Sequence, residues 1–281
     1  MSAKWTVHCA ITADGTLSAD GVAGIASLSL FDHGAVAIGE TLQDDGAIHL
    51  LAGFDSRADA QSAVDAIADQ FPDVRAELKS DPDHLNWVEA QRQALEPTTI
   101  GPWSIRAPWN EPTAVGAHDV VIDPGAAFGH GAHPSTRLSI ELMLQELAET
   151  QTVVDLGTGT GVIAIVAARW GCPVRAIEYD PVAERVARQN IERNGVEHLI
   201  QLTQGDAFES RVEPDDLVVA NVTIDVHRHI SPTYSAADRI VVAGLLCSQV
   251  AKMRQMLPTH TAKTVQTMDE WAAVSFLRTA P

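Results

Sequence analysis

The sequence predicts a doubly wound, mostly parallel α/β sheet with a small α+β domain ahead of it. Three observations predict this. A β-branched pair, Val153-Val154, runs into a glycine turn, Asp155-Leu-Gly-Thr-Gly-Thr-Gly161, and then into an apolar stretch, Val162 to Trp170. That is a buried strand, a turn and a helix. From about residue 117 onward strand-like and helix-like runs alternate, the pattern of a parallel sheet with crossover helices. The first 80 residues instead read β-α-β-β-α-β, the order of a ferredoxin-like unit.

Taking the first 80 residues in order, Trp5–Thr12 alternates as a strand does. Ser18–Phe31 has helical spacing, although Gly21 and Gly24 each lower helix propensity. Val36–Leu42 and Ile48–Phe54 are two strands around the turn Asp44-Asp45-Gly46. Ser56-Arg-Ala-Asp59 starts a helix with a capping-box-like acid, running to Gln70. Val74–Leu78 closes the set. No chemical constellation falls in this unit, so it reads as a recognition module.

Asp81–Leu95 is expected to be a helix with Pro82 near its start and Pro97 beyond its end, an arm between domains. Trp103-Ser-Ile-Arg-Ala-Pro-Trp109 is a stiff segment rich in Trp and Pro. The expected domains are 1–80, an arm and linker over 81–116, and a ligand-binding domain over 117–281. Within the last, strands are expected at 152–156, 173–179, 200–204, 217–222 and 239–246, with a helix at Pro181–Asn194. Two more, near 262–268 and 272–278, would complete a seven-stranded sheet as an antiparallel pair.

Composition narrows the function classes. A hydrophobic content of 46% over 281 residues is enough for a full core. No stretch reaches the roughly 18 apolar residues of a membrane span, and Met1-Ser-Ala-Lys-Trp5 has no signal-peptide character. Cys9, Cys172 and Cys247 are unclustered, which implies no disulfide framework and no zinc site. These features lead us to expect a cytoplasmic protein without a membrane partner or bound metal. The net charge is −18, and the first 99 residues hold sixteen acidic against five basic side chains. Such a chain repels phosphate backbones, so direct nucleic-acid binding is not expected. The charge either favours a basic protein partner or serves solubility alone.

The glycine turn and the acid that follows point to an adenosine cofactor. Glu178 ends the next strand-like run, where a carboxylate accepts both hydroxyls of a ribose. Gly159-Thr-Gly161-Val-Ile-Ala164 loosely matches a dinucleotide fingerprint. Asp155, Gly157, Gly159 and Gly161 match an S-adenosylmethionine site without slack. A carboxylate beside the turn repels a pyrophosphate but attracts a sulfonium and an α-ammonium, so the chemistry favours S-adenosylmethionine.

One longer segment is more specific than the turn. Asp123-Pro-Gly-Ala-Ala-Phe-Gly-His-Gly-Ala-His-Pro-Ser-Thr-Arg137 resembles the bacterial methyltransferases of ribosomal protein L-eleven (PrmA type), whose pattern reads D-P-G-x-A-F-G-T-G-x-H-x-T-T. The resemblance continues through Asp155–Gly161, Glu178-Tyr-Asp180-Pro181, Asn190-Ile-Glu-Arg-Asn-Gly195 and Val218-Val-Ala-Asn221, and upstream to Asn86-Trp87 and Trp103 to Trp109. It covers about residues 84–250 and implies a Rossmann-like class I methyltransferase that moves methyl groups from S-adenosylmethionine to amines of a basic ribosomal protein.

By the same resemblance, Thr136 closes over the cofactor, Gly157 lies in the turn, Glu178 stands at the usual Asp position and holds the ribose, and Asn221 faces the transferred methyl. Asp206 lies where related methyltransferases contact the adenine. The chain departs from the pattern at His130 and Ser135, both usually Thr. It departs again at Thr158 and Thr160, usually Cys and Ser, and at Val222-Thr223, usually Ile-Leu. An alternative acceptor, another protein or a small molecule, stays open on those departures. His133 before Pro134 is expected to order the loop, and His227 and His229 to lie on the surface of a helix after Asn221.

Overall fold

The computed structural model describes residues 5–12, 19–35, 37–43, 47–80, 95–112, 118–125, 127–147 and 151–279. Residues 81–94 of the expected arm, Asn86 and Trp87, and the turn Asp44–Gly46 lie outside the described residues. By their contacts the residues form two units, Met1–Leu95 with Gly125–Phe128, and Glu96–Pro124 with Gly129–Pro281.

The first unit contains β1 (Trp5–Ile11), α1 (Ala19–Asp32), β2 (Ala37–Leu42), β3 (Ile48–Phe54), α2 (Arg57–Gln70) and β4 (Arg75–Ser80). Its four strands form one antiparallel sheet in the order β2-β3-β1-β4, as the β-α-β-β-α-β reading requires. Val7, Cys9 and Ile11 point from β1 into a core shared with Leu30, Leu50, Phe54 and Ile67. The helix α1 forms despite its glycines because Ala23, Ala26 and Leu30, spaced along one face, are all fully buried. Burial of that face offsets a propensity loss of about 1 kcal/mol per glycine. At the start of α2 the Ser56 hydroxyl accepts hydrogen bonds from the Ala58 and Asp59 amides at 3.2 and 3.4 Å, satisfying two of the helix's unpaired donors. Phe128, which groups with this unit, meets the Phe31 ring edge-on at 5.8 Å.

The second unit holds two sheets. The smaller, in the order β5-β6-β7, joins Thr98–Ile100, Trp103–Arg106 and Asp119–Val121. The sequence did not announce it, since strands of three or four residues are too short to show a period. Arg106 grips Asp119 with both prongs of its guanidinium, at 2.9 and 2.8 Å, and this closes the β6–β7 pair. Trp103 is buried here and meets His118 edge-on, whereas Trp109 is exposed.

The larger sheet has seven strands in the order β10-β9-β8-β11-β12-β14-β13. These are β8 (Val153–Leu156), β9 (Val174–Glu178), β10 (Ile200–Gln204), β11 (Leu217–Asn221), β12 (Arg239–Leu246), β13 (His260–Met268) and β14 (Trp271–Arg278). The pairs from β10 across to β12 are parallel; β14 pairs antiparallel with both β12 and β13. The helices are α3 (Pro134–Glu146), α4 (Val162–Trp170), α5 (Pro181–Arg193), α6 (Ile224–Tyr234) and α7 (Val250–Met256). Strand order reverses between β8 and β11, so the chain leaves both carboxyl ends in opposite directions. That opens a crevice where such sheets bind ligands. No helix among the described residues is long and apolar enough to cross a membrane.

Candidate cofactor and methyl-acceptor site

The crevice is built by strand ends and the loops that leave them. Every residue of β8 is buried, including Asp155. Its carboxylate takes a 2.5 Å hydrogen bond from the Thr158 hydroxyl on Oδ2, while buried Oδ1 meets no donor in good hydrogen-bond geometry among the described residues. Burial pushes the Asp155 carboxyl up to about 7; the Thr158 hydroxyl and the Ala164 amide oppose this and Glu178 reinforces it. A buried carboxylate oxygen without a donor fits a cationic ligand group.

The turn after β8 needs its glycines. Gly157, Gly159 and Gly161 take φ of 76°, 56° and 83°, a region that side chains with a Cβ rarely occupy. The turn's amides are largely spent within the protein. Gly157 and Thr158 donate to the Ile177 carbonyl at 2.9 and 3.0 Å, and Gly161 to Thr158. The Gly159 amide donates to Glu178 Oε2 at 2.8 Å. A turn with its amides occupied and a carboxylate beneath it is poorly suited to a pyrophosphate, so the dinucleotide alternative loses its main support.

Glu178 ends β9, mostly buried, with Oε1 accepting from the Asp180 amide at 3.1 Å. Each carboxylate oxygen thus keeps capacity for a further donor. Burial raises this carboxyl's pKa as well. Asp206 lies just past β10, where it caps the 3-10 turn Ala207–Glu209 through Oδ1 and the Phe208 amide at 2.8 Å. Its side chain is 38% exposed, so it sits on the rim.

The segment before α3 meets the turn through a hydroxyl. Thr160 Oγ1 donates to the Gly129 carbonyl at 2.6 Å, so the hydroxyls of Thr158 and Thr160, two of the departures from the family pattern, are both engaged. Gly131 must be glycine, because a Cβ there would lie 2.8 Å from Ile105 Cγ2. His133 caps α3, its Nδ1 accepting from the Ser135 amide at 3.2 Å while its ring meets Trp271 edge-on. Burial, helped by nearby His130, pushes His133 down to about 3. It is therefore a neutral acceptor at ordinary pH.

Thr136, fully buried on α3, meets Asn221 at the end of β11: Asn221 Nδ2 donates to Thr136 Oγ1 at 3.3 Å. This bond orients the carboxamide, and the opposite atom, Oδ1, is buried without a partner among the described residues. The crevice thus gathers Thr136, Asp155, Gly157, Gly159, Gly161, Glu178 and Asn221 around the ends of β8, β9 and β11, with Asp206 at its edge.

Comparison with known proteins places the chain in a family. The family profile described as Ribosomal protein L11 methyltransferase (PrmA) matches residues 12–279. The chain belongs to this family. A ribosomal protein L11 methyltransferase of Exiguobacterium sp. is 34% identical over 201 residues, which are 68% of this chain and 64% of that relative, just under two thirds of its length. The Myxococcus xanthus relative is 31% identical over 82% of this chain and 81% of its own. The crystal structure of a ribosomal protein L11 methylase from Lactobacillus delbrueckii subsp. bulgaricus superposes with a TM-score of 0.60 at 22% identity, covering 66% of this chain and all of that one. Its likeness carries the fold, and the seven-stranded sheet is that of a class I methyltransferase.

Two residues that tie together the segments around the crevice had no role assigned from the sequence. Asn190, fully buried on α5, accepts from the Asp123 amide and donates to the Asp123 carbonyl, both at 2.9 Å, and donates to the Thr160 carbonyl at 3.0 Å. Asn194, one helical turn on, does the same with Val121, at 3.0 and 2.7 Å. The legible signal was an i, i+4 pair of Asn on an amphipathic helix, where solvated polar residues are the ordinary reading. The surface expectation for His227 fails: it is fully buried, because the first turn of α6 packs on β12. His229 is exposed.

Proposed function

We propose that this chain is an S-adenosylmethionine-dependent protein N-methyltransferase. It acts on amines, lysine ε-amino and N-terminal α-amino groups, of ribosomal protein L11, a basic partner in the cytoplasm. The carrying observation is Asn221. Its amide is oriented by Thr136, which leaves a buried carbonyl oxygen without a donor among the described residues, at the strand end beside the crevice. An amine is the complementary donor.

Asp155 would hold the cationic amino-acid portion of the cofactor, Glu178 its ribose, and the glycine turn its backbone-close face. Thr136 would close the same crevice, and Asp206 would meet the adenine. When bound, S-adenosylmethionine supplies a methyl carbon activated by its sulfonium. The protein's part is then to position and desolvate. Asn221 Oδ1 would accept an N–H of a neutral amine and so fix the direction of its nitrogen lone pair. Asn221 carries no charge that would hold the proton, so the proton leaves to water. The acidic first unit favours encounter with a basic protein.

The test is intact mass of ribosomal proteins from a strain lacking this gene, after incubation with the chain and S-adenosylmethionine. Mass gains in methyl steps on L11 are expected. No gain on any ribosomal protein, with cofactor binding verified on the same sample, discards the ribosomal acceptor.

A further inference from the structure

Val222, the residue after Asn221, lies between two glycines. A Cβ on Gly157 would meet Val222 Cγ1 at 2.8 Å, and a Cβ on Gly244 would meet the Val222 carbonyl oxygen at 2.3 Å. Both glycines have φ of 76°. Gly244 stands in β12, where pairing with β14 is interrupted between Val242 and Leu245. The parallel pairing with β11 continues there, with Asn221 opposite Ala243. The interruption is a bulge in β12, and it falls at the glycine that lies against Val222.

Within the bulge a side chain takes the Ala243 carbonyl. His227 Nε2 lies 2.8 Å from it, and a carbonyl only accepts, so Nε2 carries the proton. The neutral ring then accepts on Nδ1 from the Tyr234 hydroxyl at 3.1 Å. Burial, which pushes His227 down to about 4, keeps the ring in this form. The His227 amide donates to the Thr223 carbonyl at 2.9 Å, so the same residue closes the first turn of α6. The segment Asn221–Thr223 is thus pinned to β12 from below and from its far end. The Val222 carbonyl receives no hydrogen bond among the described residues.

We propose that His227 and Gly244 are positioning residues of the methyl-acceptor site, holding the Val222 carbonyl beside the Asn221 carboxamide as a second fixed acceptor for the incoming amine. This rests on the reading of Asn221 as the first acceptor. A primary amine offers two N–H groups, and two fixed acceptors orient its lone pair where one leaves it free to rotate.

The test compares Gly244→Ala, His227→Leu, His227→Gln and Asn221→Ala in the full chain, with S-adenosylmethionine affinity by calorimetry and initial rates on purified L11. Gly244→Ala and His227→Leu are expected to lose about tenfold or more in kcat, with cofactor Kd and acceptor KM within about threefold of the parent. His227→Gln, whose amide can donate to Ala243, is expected to regain part of that loss. If His227→Leu does not fold, Gly244→Ala and His227→Gln carry the comparison at matched Tm. Parent-like kcat in Gly244→Ala and His227→Leu, with Asn221→Ala inactive, overturns the positioning role alone. Parent-like kcat in Asn221→Ala overturns the acceptor reading beneath it.

Discussion

Replacing Asp155 by Asn separates ligand binding from folding, because the two respond with opposite sign. In the ligand-free chain the carboxyl is driven by burial from 3.8 to about 7. That displacement corresponds to about 4 kcal/mol against the ionised form in the folded state. The sign follows from linkage. An acid whose folded pKa lies above its unfolded value costs stability progressively as pH rises from about 4 to about 7, and the cost is constant above that. Asp155→Asn keeps the shape and removes the charge. Its buried amide must still find partners, which returns about 1–3 kcal/mol of the gain. A net stabilisation of about 1–3 kcal/mol at pH 8 is therefore expected, roughly 2–12 °C in Tm, shrinking as pH falls toward 4. S-adenosylmethionine affinity should move the other way, by about 1.5–3 kcal/mol, or some tenfold to 150-fold in Kd. Ligand-free melting across pH and calorimetric titration read the two effects separately. A variant that melts lower than the parent at pH 8 makes Asp155 a structural residue, and unchanged affinity removes it from the cofactor site.

Three further outcomes follow from the same geometry. Glu178→Ala should weaken S-adenosylmethionine binding by about 1–3 kcal/mol, measured by calorimetry; an unchanged Kd would mean the ribose is misplaced. Cofactor affinity in the parent chain should rise with pH up to about 7 and then level, with proton release on binding near pH 7, because a cationic ligand draws a proton off Asp155. Titrations in buffers of different ionisation enthalpy detect that release, and its absence places the cation elsewhere. Asn190→Ala should cost about 2–4 kcal/mol of stability, since it leaves the Asp123 and Thr160 backbone groups unpaired; a denaturant midpoint equal to the parent's would show the clamp to be dispensable.

The alternation of strands and helices was legible from periodicity, and with it the two sheets' main elements. The glycine turn was legible because positive φ at Gly157, Gly159 and Gly161 leaves a compositional mark. Asp155 and Glu178 were legible because an acid at the end of an apolar strand is costly unless it is used. The small sheet β5-β6-β7 was not, since its strands are shorter than any readable period and are closed by Arg106 and Asp119, thirteen residues apart.

By itself the sequence determined where the strands of the seven-stranded sheet run, to within about two residues at their ends, and which chemistry the residues near those ends carry, because those are local properties of the chain. Only the tertiary structure decided what those residues meet. Asn190 holds Asp123 from 67 residues away, and Thr160 reaches Gly129 across 31. His227, polar in the sequence, is buried because β12 offers it a carbonyl. Gly244 is required by the carbonyl of Val222, which pairing of β11 with β12 brings over it. Such partners are set by the packing of strands far apart in the chain, and no local pattern of residues records them.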